Sequence, residues 1–227
     1  MAAIQKKGQP NRMGLDSAAP SRYSPLMSRS PSKPPHHIVI KTPSRAELDH
    51  AFQNYGLQLG KLVGAWNRMH EQLAALFCLV VNSRNERIPL AIWHSIKSDR
   101  QQREILRQAI KAIRMEGNFK EEVIWILTKI DHSLAENRND AIHAPLAFVT
   151  DALGTSMGPN WSSANPRAQA LRGKNLLEEF RWLYETCDLL TGYATALEKF
   201  ALRGNVPPRP ERPSLPVRTS KASRPKA

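Results

Sequence analysis

The sequence predicts an all-α protein, an antiparallel four-helix bundle that carries a disordered basic tail at each end. Three observations predict this fold: apolar residues recur at alternating spacings of three and four, capping residues stand where these runs begin, and no segment alternates convincingly as a strand does. Four amphipathic runs of this kind bury their apolar faces against one another in a bundle. The patterned block, residues 43–203, is long enough to enclose a single sizeable core.

The two tails account for most of the positive charge. Residues 1–42 contain seven Lys or Arg and one acid, and residues 204–227 contain six and one, which leaves +2 of the total +13 for the block between them. Both tails are rich in Pro and Ser and poor in large apolar side chains, so neither is expected to offset the entropy cost of becoming ordered. The near-neutral block argues against a strongly basic nucleic-acid-binding face on the domain.

Composition also limits the class of protein. Cys78 and Cys187 are too few for a disulfide framework or a zinc cluster, and both fall in apolar helical patterns, which indicates small core residues in a reducing compartment. No apolar run has the roughly 20 residues that a membrane span needs, and no secretory leader pattern follows Met1. We therefore expect a cytoplasmic protein without a metal, a cofactor or a membrane partner.

The first helix is predicted from Ser44 onward. Ser44 and Glu47 have the spacing of a capping box, and the apolar seam that follows continues for about five heptads, which is typical of a long bundle helix. The members of the seam are Leu48, Phe52, Tyr55, Leu59, Leu62, Trp66, Met69, Leu73, Leu76 and Val80. Beside it, Gly56, Gly60 and Gly64 form a stripe that indicates either a close approach of another helix or a locally weakened helix.

The middle of the chain predicts a short helical piece and two longer helices. Ser98 is predicted to cap a helix that ends at Gly117, and Asn118 to cap the next. That third long helix should end at about His143, because Pro145 disfavours the α conformation in the residue before it. Positions predicted to face the core are Leu90, Trp93, Ile96, Leu106, Ala109, Ile110, Ile113, Val123, Ile126, Leu127, Ile130, Leu134 and Ala141.

Residues 145–166 form a long connection rich in Gly, Ser, Asn and Pro, and connections of this length are usually functional or mobile. Within it, residues 147–150 and the stretch near Trp161 are predicted to pair as a small hairpin. One last helix is then predicted over 166–203, with Gly204 ending it.

The most specific chemical pattern closes the third helix. Arg138-Asn139 is followed by three residues and then by His143. The bare spacing also occurs at 45–50 and, with two more residues between, at 87–94. Only the Arg138–His143 pair combines the spacing, a polar residue directly after the arginine and a place at the end of a core helix.

This pattern resembles the signature of HEPN domains, the nucleotide-binding helical bundles of many toxin and RNA-processing ribonucleases. The resemblance covers residues 43–203 in architecture and six residues in motif. It implies a homodimer in which both motifs line one cleft and RNA is cleaved without metal, and it implies RNA and an antitoxin or regulatory protein as partners. It implies that His143 moves protons, that Arg138 holds the phosphate and that Asn139 orients His143 or the phosphate.

Other interpretations remain open. On a regular helix Arg138 and His143 point about 140° apart, so joint action requires a loosened helix end, a bent Arg138 side chain or a residue from a partner protomer. A structural interpretation instead pairs Arg138 with a bundle carboxylate such as Glu136 or Asp140 and makes His143 a cap of the helix C-terminus. The chain would then be a non-catalytic module that dimerises through the glycine-marked first helix and binds nucleic acid or protein.

A basic stripe is also predicted on the second long helix, where positively charged side chains recur on one face. It indicates either a solvated surface or a track for RNA phosphates. The nucleic-acid-binding candidates are Arg100, Arg103, Arg107 and Lys111.

Overall fold

The computed structural model describes residues 42–85, 87–113, 118–151, 154–160, 162, 164–204 and 209–218. Within this part of the chain the protein is mainly helical, as predicted, and its only strands form one hairpin. The predicted N-terminal tail, apart from residue 42, lies outside the described residues, and so do Gly117 and Trp161. Among the described helices, none is both long and apolar enough to cross a membrane.

The longest helix, α1 (Arg45–Val81), begins at the predicted capping box. Ser44 Oγ accepts a hydrogen bond from the Glu47 N–H at 3.3 Å, and the Glu47 carboxylate accepts one from the Ser44 N–H at 2.7 Å. From Tyr55 to Val80 the predicted seam is buried or partly buried. Phe52 departs from the prediction, since 59% of it is exposed.

Two shorter helices follow, α2 (Arg87–Ser95) and α3 (Asp99–Ala112). Ser98 stands at the N-cap of α3 as predicted, but its side chain makes no capping hydrogen bond. The helix also ends earlier than predicted, because Ile113 is already extended at φ −82° and ψ 150°.

The predicted third helix is one helical run with a wide turn inside it. It consists of α4 (Asn118–Lys129), a π-helical segment (Ile130–Ala135) and α5 (Glu136–His143). The end at His143 is confirmed: Ala144 is extended at φ −65° and ψ 137°, as the following proline requires. The predicted core positions of this run are all buried: Val123, Ile126, Leu127, Ile130, Leu134 and Ala141.

The connection after α5 contains a two-stranded antiparallel hairpin, β1 (Leu146–Asp151) and β2 (Gly154–Pro159). Its register pairs Leu146 with Pro159 and Asp151 with Gly154. The first strand matches the prediction, whereas the second lies before the predicted stretch near residue 161. Gly154 adopts φ +121°, a value that favours glycine, and thereby permits this early return.

The predicted final helix is divided into α6 (Pro166–Ala170) and α7 (Leu176–Leu202). Gly173 lies in the left-handed region at φ +75°, which interrupts the helix, and the Asn175 side chain then caps α7 by accepting from the N–H groups of Leu177 and Glu178. α7 packs along α1 as the principal helix pair, and α2, α3, β2 and α4 complete one apolar core around them.

Residues 209–218 have no regular secondary structure but lie against the helices. Leu215 packs on the core, and the Trp182 indole donates a hydrogen bond to the Pro216 carbonyl at 2.9 Å. For this segment the prediction of a disordered tail from residue 204 onward is wrong. The reason is a set of ion pairs with buried carboxylates that no apolar pattern announces.

Candidate functional site

The predicted motif lies on α5, which is regular from Glu136 to His143. The irregular turn precedes the motif, so it does not loosen the helix between Arg138 and His143. These two side chains therefore leave the helix about 140° apart. Among the described residues, no hydrogen bond joins them.

Arg138 is turned toward α1. Its guanidinium lies 5.1 Å from the centre of the Trp66 ring, and Arg138 Nη1 donates a hydrogen bond to Asn139 Oδ1 at 3.1 Å. Arg138 Nε is buried without a hydrogen-bond acceptor. The predicted pairing of Arg138 with Glu136 or Asp140 does not occur among the described ion pairs.

His143 occupies the last turn of α5 and is exposed. Among the described residues its ring makes no hydrogen bond or ion pair. The side chain therefore does not cap the helix C-terminus as the structural interpretation predicted. The main chain of Asn139 instead accepts a long hydrogen bond from Arg167 Nη1 at 3.5 Å.

The indole of Trp66 joins the motif helix to α3. Trp66 is buried, and its Nε1 donates a hydrogen bond to Asp99 Oδ2 at 2.8 Å. The Arg103 guanidinium lies 5.9 Å from the same ring. Arg138 and Arg103 thus both interact with one aromatic ring, a cation–π arrangement that favours arginine over lysine.

The buried His70 extends this cluster, and its neighbours determine its tautomer. Gln102 Nε2 donates to the carbonyls of Trp93 and Ile96, at 3.1 and 3.3 Å, so Gln102 Oε1 faces His70 Nδ1 at 3.1 Å as an acceptor. Arg103 Nη1 lies 3.4 Å from His70 Nε2, and a guanidinium only donates. The imidazole is therefore neutral, with its proton on Nδ1. Burial lowers the pKa of His70 below its ordinary value of 6.5, and the charges of Arg103 and Arg138 contribute to the decrease against the raising effects of Asp99 and Gln102.

Asp131, in the π-helical segment, neutralises the inner part of the basic stripe. It accepts hydrogen bonds from Arg103 Nε at 2.7 Å and from Arg107 Nη2 at 2.5 Å. Burial raises the pKa of Asp131, but the hydrogen bonds from Arg107 and Arg103 outweigh this and hold the pKa below its ordinary value of 3.8.

The predicted nucleic-acid stripe is therefore not one exposed surface. Arg103 is only 3% exposed and Arg107 also bonds Glu104, whereas Arg100 and Lys111 face solvent. Two of the four candidate residues are structural partners of Asp131, and the remaining two lie about three helical turns apart.

Other chemistries find little support at this site. Burial raises the pKa of the Cys187 thiol to about 12, which leaves no thiolate for nucleophilic attack near neutral pH. Within the described part of the chain, no three His, Cys, Asp or Glu side chains gather as a metal site requires.

Sequence reasoning did not single out His70, Asp99 or Asp131. His70 carried a signal: it follows Trp66 by four residues and precedes Leu73 by three, so a polar side chain falls on the inward face of α1. Asp131 carried none, because its direction depends on the wide turn of the π-helical segment.

Comparison with known proteins returned no match: no family model matches the chain, and neither does any curated protein or solved structure.

Proposed function

We propose that the chain is a cytoplasmic, homodimeric endoribonuclease of HEPN type that cleaves RNA without a metal ion. In this proposal α1, α3, the α4–α5 run and α7 are the four members of an antiparallel HEPN-like bundle. The observation that carries it is the pairing, on one helix, of an Arg138 guanidinium bound by Asn139 and an exposed His143 ring without a partner among the described residues.

The divergence of Arg138 and His143 gives the proposal its geometry. Since the two side chains project about 140° apart on α5, one protomer does not present both to the same phosphate. A two-fold dimer solves this by joining Arg138 of one copy with His143 of the other in each cleft.

The chemistry follows from these groups. His143 accepts the proton of the ribose 2′-OH, the 2′ oxygen attacks the adjacent phosphorus, and the bond to the 5′ oxygen breaks as that oxygen takes up a proton. Arg138 stabilises the charge that develops on the phosphate oxygens. The products are a 2′,3′-cyclic phosphate and a free 5′-OH.

Cleavage of a mixed RNA substrate in EDTA tests the proposal. His143→Ala and Arg138→Ala should each lower the rate by about a hundredfold or more, the usual contribution of a general acid–base group or an oxyanion donor. Mixing the two inactive variants should restore about a quarter of the wild-type rate, because half of the dimers are mixed and each mixed dimer has one intact composite cleft.

Two controls separate catalysis from folding. Arg138→Lys keeps the charge and most of the apolar stem over Trp66 but lacks the planar fork, so it should fold and remain impaired. His94→Ala removes an exposed histidine from one of the two other Arg–His spacings, that of residues 87–94, and should keep full activity. Wild-type rates in both motif variants, or no recovery on mixing, would contradict the composite site.

A second candidate, a non-catalytic dimerisation module, is favoured by the outer face of α1. A Cβ added at Gly56 or Gly60 meets nothing within 4 Å, and Phe52 beside them is 59% exposed. This face of α1 would meet the same face of a second copy. Sedimentation of Gly60→Leu tests it: a monomeric variant supports the stripe as the interface, and an unchanged dimer rules it out.

A further inference from the structure

Residues 209–218, which we name the C-terminal strap, lie across α4 and α7 with the sequence Arg-Pro-Glu-Arg-Pro-Ser-Leu-Pro-Val-Arg. Three prolines favour an extended backbone and lower the entropy cost of binding. Residues 205–208 connect the strap to Gly204, just beyond the end of α7. The contacts of the strap are arginine–carboxylate pairs rather than a continuous apolar surface.

The first contact centres on Glu122 of α4, whose side chain is 1% exposed. Arg212 binds it through two nitrogens, at 2.7 and 3.2 Å, and Arg209 forms a further ion pair with it. Tyr193 of α7 donates its hydroxyl to the same carboxylate at 2.6 Å. The Arg212 guanidinium also lies 5.2 Å from the centre of the Trp125 ring.

The second contact repeats this chemistry on α7. Arg218 donates to both oxygens of Glu179, at 3.2 Å from Nε to Oε1 and 2.5 Å from Nη2 to Oε2, and its guanidinium lies 5.2 Å from the Trp182 ring centre. The Glu179 side chain is 5% exposed. The Trp182 indole fixes the strap backbone between the two contacts by its hydrogen bond to the Pro216 carbonyl.

Each contact therefore combines a buried carboxylate, a tryptophan face and an arginine of the strap. A buried carboxylate is costly unless a cation is bound to it, so Glu122 and Glu179 select for guanidinium groups. Two such contacts, joined by an extended proline-containing backbone, have the form of a peptide-recognition groove.

We propose that this face of α4 and α7 is a binding groove for an extended arginine–proline segment, and that the strap is its exchangeable resident ligand. The same sequence supplied in trans, as a second copy of the chain supplies it, occupies the groove when the resident strap is weakened. The partner chemistry is specific: two guanidiniums spaced to reach Glu122 and Glu179, with a proline carbonyl at Trp182.

Fluorescence anisotropy with a labelled peptide of residues 209–218 tests the proposal on the full-length chain. In the wild type the tethered strap competes at an effective concentration of about millimolar. The variant Arg212→Ala/Arg218→Ala, whose resident strap is weakened, should therefore bind the peptide at least about tenfold more tightly than the wild type does. Adding Glu122→Gln and Glu179→Gln to that variant should abolish binding.

A charge-matched peptide with lysine in place of each arginine is the control, since lysine offers neither the fork nor the planar stacking surface. Equal binding of both peptides would reduce the groove to general charge attraction and overturn the proposal. Absence of peptide binding to the Arg212→Ala/Arg218→Ala chain, with its helical circular dichroism intact, would show a permanent intramolecular strap and overturn it as well.

A second measurement does not depend on the variant folding. A protease site inserted after Gly204 in an otherwise wild-type chain allows the strap to be cut free. Excess labelled peptide should then replace the cut strap and co-elute with the body in gel filtration. A cut strap that no peptide displaces contradicts exchange.

Discussion

The polar side chains of α3 illustrate how single residues depend on their partners. Arg103 is 3% exposed, so its charge is shielded from water and is stabilised by the ion pair with Asp131. Arg107 shares that carboxylate but is also bound to the exposed Glu104. The same type of residue is thus structural at one position and partly solvated one turn later.

Asp131→Asn should lower the free energy of unfolding by about 3 kcal/mol, the cost of leaving a buried charge without its partner. Urea denaturation measures this directly. The wild-type contribution is present above pH 3.8 and is lost as the pH falls through the depressed pKa of Asp131, so the two chains should converge in strong acid. Glu104→Gln is the matched control: it removes the negative charge of the exposed acceptor of Arg107 and should leave the denaturation midpoint almost unchanged.

His70 also predicts that the protein is less stable at lower pH, but for a different reason from Asp131: the folded protein disfavours its protonated form. Its pKa is lowered in the folded protein mainly by burial, so below 6.5 the unfolded chain binds a proton that the folded chain does not. Stability should therefore decrease as the pH falls below 6.5, and His70→Gln should decrease less over the same interval. Parallel curves for the two chains, measured by thermal unfolding, would mean that folding does not lower the pKa of His70 and would contradict this prediction.

At the scale of the element, the helices differ from their apolar patterns where backbone conformation intervenes. The π-helical segment leaves every predicted core position of the α4–α5 run buried, yet it turns Asp131 toward α3. Such wide turns are frequent at functional sites. Gly173 and Asn175 similarly divide one predicted helix into α6 and α7.

The glycine stripe of α1 supports a prediction about the stability of the whole chain. Gly60→Ala should raise the free energy of unfolding by about 0.5–1 kcal/mol, because alanine loses less backbone entropy and the added Cβ meets nothing within 4 Å. Gly192→Ala on α7, which also has open space, is the control and should stabilise similarly. If Gly60→Ala destabilises the chain while Gly192→Ala does not, the stripe is covered by another molecule.

At the scale of the whole molecule, the C-terminal strap links helices that are far apart in sequence. Its arginines satisfy Glu122 on α4 and Glu179 on α7. On the motif helix, burial and Glu136 raise the pKa of Asp140 above its ordinary value, and the charge of Arg218 offsets only part of that rise. The strap therefore contributes to the stability of a core whose last helix is α7.

Removal of the strap should destabilise the fold. A chain that ends after Gly204 should lose about 2–3 kcal/mol of unfolding free energy, less than the ~3–5 kcal/mol of a pair broken in the interior because water reaches the carboxylates once the strap has left. A chain that ends after Arg218 keeps every contact described above and should unfold at the wild-type temperature. Equal melting temperatures for the two truncated chains would contradict this role of the strap.

The sequence by itself determined the helical class, the capping box at Ser44, the end of α5 before Pro145 and most of the apolar core. These features depend on local conformation and on apolar periodicity, which neighbouring residues encode. Of the candidate site it determined the residues Arg138, Asn139 and His143 as a pattern, and that pattern is still a hypothesis.

Only the tertiary structure decided which charges meet. Three contacts illustrate this: Arg138 lies on Trp66, Asp131 neutralises Arg103, and Arg212 reaches Glu122. The residues of each pair are far apart in sequence, and even Arg107 and Asp131 are separated by 24 positions. No periodic signal encodes such pairs, because a charged side chain on an amphipathic helix looks the same in sequence whether water or a buried partner surrounds it. The apolar pattern of the sequence predicts the core, and the polar contacts depend on where the folded core places the polar side chains.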